Sequence, residues 1–145
     1  MEPNINRKPR LVSRSGTHLT TLSNVLEAGA AQDQAVVIPD GPTLTYGDLS
    51  AEVQRVSELL SARGIEAGRP VSIVIPNALE FITIFLAVAR AGAVAAPLNQ
   101  AYTEDEFNFF MGDADAQLVI MSPGIEPAAA AASALGSYAV TSTSS

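Results

Sequence analysis

The residues able to do chemistry in this chain are few. His18 is the one histidine, Lys8 the one lysine, and cysteine is absent. A nucleophilic triad needs a base beside a hydroxyl or thiol and a third group to orient it. His18 lies in a polar amino-terminal stretch and reads as a solvent-exposed loop residue. Asp113 and Asp115 form the tightest acidic pair, but a calcium-type site needs six or more converging oxygens, so the pair reads as a solvated helix end. Glu104, Asp105 and Glu106 follow Thr103 in a T-x-x-E capping box, with all three carboxylates in the first turn where the helix dipole favours them. That accounts for them without acid–base catalysis. Phosphate cradles need closely spaced glycines exposing backbone N–H groups, usually with a lysine. Neither G-x-G-x-x-G nor G-x-x-x-x-G-K-[ST] occurs, and Gly41, Gly64, Gly68 and Gly92 read as turns or helix stops. Ser142–Ser145 looks like the start of a Ser/Thr loop but lacks both Gly and Lys. No residue is assigned a catalytic, cofactor-binding or metal-binding role.

Composition narrows the class further. The 145 residues are 48% hydrophobic, enough for one domain with a real core and inconsistent with a disordered chain. The absence of cysteine excludes disulfides and thiolate sites and fits a reducing compartment. The formal charge of −7 hides an asymmetry: Arg7, Lys8, Arg10 and Arg14 crowd the start, and from Ser15 onward four arginines face fourteen carboxylates. A body that acidic repels phosphate backbones, which argues against nucleic acid as a partner. The longest apolar run, Phe81 to Ala89, is far short of the ~20 residues a membrane span needs, and no secretory signal is visible. The basic start reads as an untargeted tail. Arg10-Leu11 and His18-Leu19 approximate a peroxisomal signal with one residue too many between the halves, and the few acids among several Arg and Ser would suit mitochondrial transit.

The elements follow from periodicity. Leu22, Val25 and Leu26 predict a short helix over Thr20–Ala30. Ala35–Ile38 and Thr43–Thr45, around Pro39-Asp40-Gly41-Pro42, predict a hairpin. Leu49, Val53, Val56 and Leu60 share one face of a helix capped by Thr45 or Asp48, with Arg63 in its last turn and Gly64 as its stop. Val71–Ile75, β-branched and broken only by Ser72, predicts a strand buried on both faces. Asn77 is expected to cap the next helix with Glu80 at its third position. In that helix Phe81, Ile84, Phe85 and Val88 form one stripe and Ile82, Leu86 and Ala89 another, so it should be sandwiched. Ala93–Pro97 is the next strand. A capped helix carrying Phe107, Phe110, Met111 and Ala114 follows, and then strand Gln117–Met121. Strand–helix–strand–helix–strand with short connections predicts an α/β fold with a parallel sheet and right-handed crossovers. Ala128–Ala132 could join a helix ending at Gly136, Tyr138–Thr141 could begin another strand, and the end is expected to fray. The expected organisation is a basic tail over 1–19, a subdomain over 20–122 and an Ala/Ser/Thr-rich tail over 123–145.

Three segments carry a resemblance: LTYGDLS (Leu44–Ser50), VSIVIPNALEFITIFLAVARAGAVAAPLN (Val71–Asn99) and AYTEDEFNFFMGDADAQLVI (Ala101–Ile120). Together, over about residues 22–120, the chain resembles the amino-terminal part of the adenylate-forming superfamily of acyl- and aryl-CoA ligases, luciferases and peptide-synthetase adenylation domains. Within it, ARAGAVAAPLNQAYTEDEF is most similar to oxalate–CoA and coumarate–CoA ligase-like enzymes. The resemblance implies a partial three-layer subdomain from an enzyme that forms an acyl-adenylate from ATP and then an acyl-CoA. ATP, Mg²⁺ and CoA are implied for the full-length family, and none for this chain. The phosphate loop, ribose-binding Asp and catalytic Lys lie further along in relatives and match nothing here, so the chain is expected to be inactive alone. Leu49, Val53, Phe81, Phe85, Val94 and Leu118 would be packing positions. Asn77 and Asn99 fall at strand ends, the edge where α/β sheets bind ligands, though each is also explained as a cap or turn. Expected partners are the remainder of a ligase or a self-associating apolar face, and the expected location is cytoplasmic, or peroxisomal by resemblance. The alternative is a non-catalytic interaction module derived from this fold. A small free-standing nucleotide-binding protein is disfavoured by the missing glycine loop.

Overall fold

The computed structural model describes residues 21–76, 78–135 and 138–140. They divide along the chain into two compact units, the division falling between Ser50 and Ala51.

In the first unit the expected early helix is a 3-10 turn, Leu22–Glu27, shorter than the periodicity suggested. β1 (Gln34–Val37) and β2 (Thr43–Thr45) pair antiparallel as the expected hairpin. The turn closes through the Gly41 amide donating to Ile38 O at 2.9 Å. Helix α1 (Tyr46–Ala62) begins at LTYGDLS, and the motif has a physical reading. Thr45 and Asp48 cap reciprocally: the Asp48 amide donates to Thr45 Oγ1 at 3.1 Å, and the Thr45 amide to Asp48 Oδ2 at 3.3 Å. The Tyr46 ring sits so close to Gly29 that a Cβ there would lie 2.5 Å from it, so Gly29 serves close approach.

Along α1, Leu49, Val53 and Leu60 are buried as the stripe predicted, and Val56 is half-buried. Arg63 lies just past the helix rather than in its last turn. Gly64 has φ +78°, the left-handed stop. On the solvated face Arg55 Nε donates to Glu52 Oε2 at 3.0 Å, and this hydrogen bond holds the Glu52 carboxyl below its usual range.

The second unit is a parallel sheet with helices between its strands. β3 (Pro70–Val74), α2 (Leu79–Arg90), β4 (Val94–Pro97), α3 (Glu104–Asp113) and β5 (Leu118–Met121) follow in the predicted order, and α4 (Glu126–Leu135) and β6 (Tyr138–Val140) extend it. The sheet order is β4-β3-β5-β6, with every pairing parallel. α4 and β6 fall where Ala128–Ala132 and Tyr138–Thr141 suggested a helix and a strand; α4 joins the core beside α3 and β6 extends the sheet. Alanine is small enough to let α4 seat closely, and Ala128, Ala131 and Ala132 are fully or almost fully buried.

The chain steps from β3 to β4 in one direction across the sheet, then back past β3 to β5 and on to β6. With right-handed crossovers, α2 covers one face and α3 with α4 the other. Register puts Ser72 beside Val119 and Val74 beside Met121. Alternation then gives these four one face, and Val71, Ile73, Leu118 and Ile120 the other. Val74, Val119 and Met121 pack with Phe107 and Met111 of α3 and with the α4 alanines in one core.

Three expectations change. Val94, expected as a packing residue, is 50% exposed, because β4 pairs only with β3 and stands at the sheet edge. Phe81 and Phe85 are half-buried, their rings stacked 5.8 Å apart, while Thr83, absent from either stripe, is buried. The α2 N-cap is Ala78, with no side-chain hydrogen bond, so Glu80 stands at the second helical position. Asn77, the expected cap, lies outside the described residues.

Ser72, the one interruption of the β3 run, is fully buried, and its Oγ has no hydrogen-bond partner among the described residues. A buried hydroxyl left unpaired costs about 1–3 kcal/mol. Ser72→Ala removes that penalty for a small loss of volume. We expect it to raise the unfolding free energy by about 1 kcal/mol, read from urea titration followed by circular dichroism.

Candidate functional site

In a parallel sheet, ligands enter at the carboxyl ends of the strands, where neighbouring connections leave toward opposite faces. Here that point lies between β3 and β5: the chain leaves β3 toward α2 on one face and β5 toward α4 on the other. The Leu98 amide donates to Ile73 O at 2.9 Å and the Ser122 amide to Val74 O at 3.1 Å, carrying the ladder past the strand ends. Beyond β3 come Ile75 and Pro76, and beyond β5 come Ser122, Pro123 and Gly124.

Helix starts and carboxylates gather at this edge. All three helices begin there, because each follows a strand of the parallel sheet, and each carries carboxylate in its first turn: Glu80 in α2, Glu104, Asp105 and Glu106 in α3, and Glu126 in α4. Those charges complement the helix dipoles and oppose an approaching anion. No Lys, Arg or His follows Arg90 to offset them. The α3 box is closed as expected, the Glu106 amide donating to Thr103 Oγ1 at 3.3 Å and the Thr103 amide to Glu106 Oε2 at 2.8 Å.

The sequence candidates fall mostly on structural duties. Asn99 is exposed and makes a turn, its Oδ1 accepting from the Ala101 amide at 3.0 Å. Asp113 is exposed at the end of α3. Asp115 adopts φ +50° and lies 3.5 Å from Arg69 Nη2. No group of three or more potential ligands able to hold a metal ion occurs among the described residues. His18 and Ser142–Ser145 lie outside them.

Gln117, the first residue of the expected Gln117–Met121 strand, does more than begin a strand. At the amino end of the sheet, Gln117 Nε2 donates to Glu66 O at 2.9 Å and Arg69 O at 3.2 Å, while its Oε1 accepts from the Glu66 amide at 2.8 Å. No local signal announces it, since its partners stand about fifty positions earlier.

The pattern of the AMP-binding enzyme family matches residues 26–144. The chain belongs to that family. Oxalate–CoA ligase of Arabidopsis thaliana is 43% identical to this chain over 128 residues, 85% of the chain and 25% of the enzyme. The protein described as "Probable CoA ligase CCL9" of Humulus lupulus is also 43% identical, over 127 residues, 85% of the chain and 24% of that protein. The crystal structure of apo MatB from Rhodopseudomonas palustris superposes with a TM-score of 0.72 at 31% identity, over 81% of the chain and 24% of MatB. The chain therefore spans about a quarter of the length of these relatives. The α/β architecture expected from the sequence is the one found. Among the described residues, no helix is long and apolar enough to cross a membrane.

Proposed function

We propose that this chain is the amino-terminal scaffold of an ATP-dependent, AMP-forming carboxylate–CoA ligase and does not itself activate a carboxylate. The observation that carries the reading is the 43% identity to an oxalate–CoA ligase across a quarter of that enzyme. Forming an acyl-adenylate requires cations and N–H donors around the α-phosphate and stabilisation of the departing pyrophosphate. The strand-end edge offers carboxylates instead, and the chain's single lysine is Lys8. In this reading ATP, Mg²⁺ and CoA are held by parts of a ligase outside the matched quarter, and residues 21–140 supply packing. Oxalate or a similarly small carboxylate is the proposed acyl group, on the strength of the Arabidopsis relative. The proposed location is cytoplasmic, with the peroxisome as the alternative.

The test is ATP–pyrophosphate exchange on the isolated chain with oxalate and Mg²⁺. No exchange above the protein-free rate is expected, and clear turnover overturns the inactivity. A second reading, a non-catalytic module that docks to other proteins, is favoured by the exposed Phe109 and Phe110 on α3.

A further inference from the structure

We infer that the outer face of α3, the ring shelf of Tyr102, Phe109 and Phe110, docks the part of an adenylate-forming ligase outside the matched region, through an apolar surface bordered by arginine or lysine. The inference rests on the ligase reading above and names the surface through which it acts. Phe107 and Met111, on the inner side of α3, are already fully buried, and of the shelf only Tyr102 also packs against that core. Phe109 is 65% exposed and Phe110 38%. Their rings meet edge to face at 5.2 Å, and Phe110 stacks on Tyr102 at 5.1 Å. Isolated exposed apolar residues need no explanation, but a stacked aromatic surface with few torsions to freeze is a preformed contact.

Charge selects the occupant. Asp105, Phe109 and Asp113 fall at i, i+4 and i+8 on one row of the helix. With no basic residue after Arg90, this stretch supplies these carboxylates no cation of its own. A second copy would set carboxylate against carboxylate between two chains of net charge −7. A ligase relative, by contrast, has most of its length outside the match, 24% and 25% being covered.

The test compares the full chain with a chimera in which residues 21–140 replace the matching segment of the Arabidopsis oxalate–CoA ligase. Phe109→Ser should lower the chimera's unfolding midpoint by about 3 °C or more and move that of the chain alone by about 1 °C or less, with Phe109→Leu restoring most of the difference. Equal shifts in both proteins overturn the docking surface. So does a chimera that makes acyl-CoA from oxalate and is indifferent to Phe109→Ser, an outcome that leaves the ligase reading intact. A chimera that neither unfolds cooperatively nor makes product overturns both.

Discussion

Phe107→Ala should remove about 4 kcal/mol of stability, within the usual 3–5 kcal/mol range for truncating a fully buried phenylalanine. Phe107 is the largest fully buried side chain in the structure. It sits where α3, α4 and the sheet converge, with Met111, Val119, Met121 and the α4 alanines around it. Tyr102 adds an edge-on ring contact at 5.7 Å. The alanines make the site unforgiving, because a small side chain has no reach with which to fill the vacated volume. Phe109, two residues later and 65% exposed, is the internal control. Its truncation should cost about 0.3 kcal/mol or less, since surface changes usually fall within ~0.5 kcal/mol. Urea titration followed by far-ultraviolet circular dichroism measures both. Equal losses at the two positions would mean that α3 packs through its other face.

Gln117→Ala should cost about 2 kcal/mol, an unusual sum for a polar residue of intermediate exposure. Three hydrogen bonds tie its amide group to the backbone of Glu66 and Arg69, each worth ~0.5–1.5 kcal/mol, with solvent able to replace part of that. The side chain acts as a short extra strand, pairing with the segment that feeds β3. Gln117→Glu discriminates this account from simple loss of packing. It keeps the acceptor but turns the donor into a carboxylate facing two carbonyl oxygens, so at neutral pH it should be no more stable than the alanine variant. A glutamate variant near wild-type stability would show that the donor bonds contribute little.

Much of this architecture was legible because its determinants are local. The T-x-x-E box of α3, the glycine stop of α1 and the unalternating Val71–Ile75 run each specify an element within a few residues, and each element forms where the pattern put it. Helical period alone separates Phe107 and Met111 from Phe109, but it also puts Phe110 on the inner stripe, and Phe110 is exposed beside Phe109. What escaped depends on neighbours distant in sequence. Val94 has a core residue's chemistry but an edge strand's position, which only the sheet order reveals. Gln117 finds its partners across two strands and two intervening helices. Ala128–Ala132 signals a helix, yet nothing in five alanines says that they pack beneath an aromatic ring. For the candidate site, the sequence shows a single lysine, Lys8, and no phosphate-binding glycine loop. That the carboxylates gather at one edge follows only once the strands are known to be parallel.

The strand order has a kinetic consequence. β3 is the first strand of its sheet to be synthesised, yet it is flanked by β4 on one side and β5 on the other. Its Val71 to Val74 backbone can be fully paired only after more than forty further residues have been made and α3 has crossed back over it. Non-local parallel pairing of this kind is slow and leaves apolar strand edges open in the meantime. Val71 to Val74, all fully buried in the structure, therefore keep one strand edge unpaired until β5 has been made.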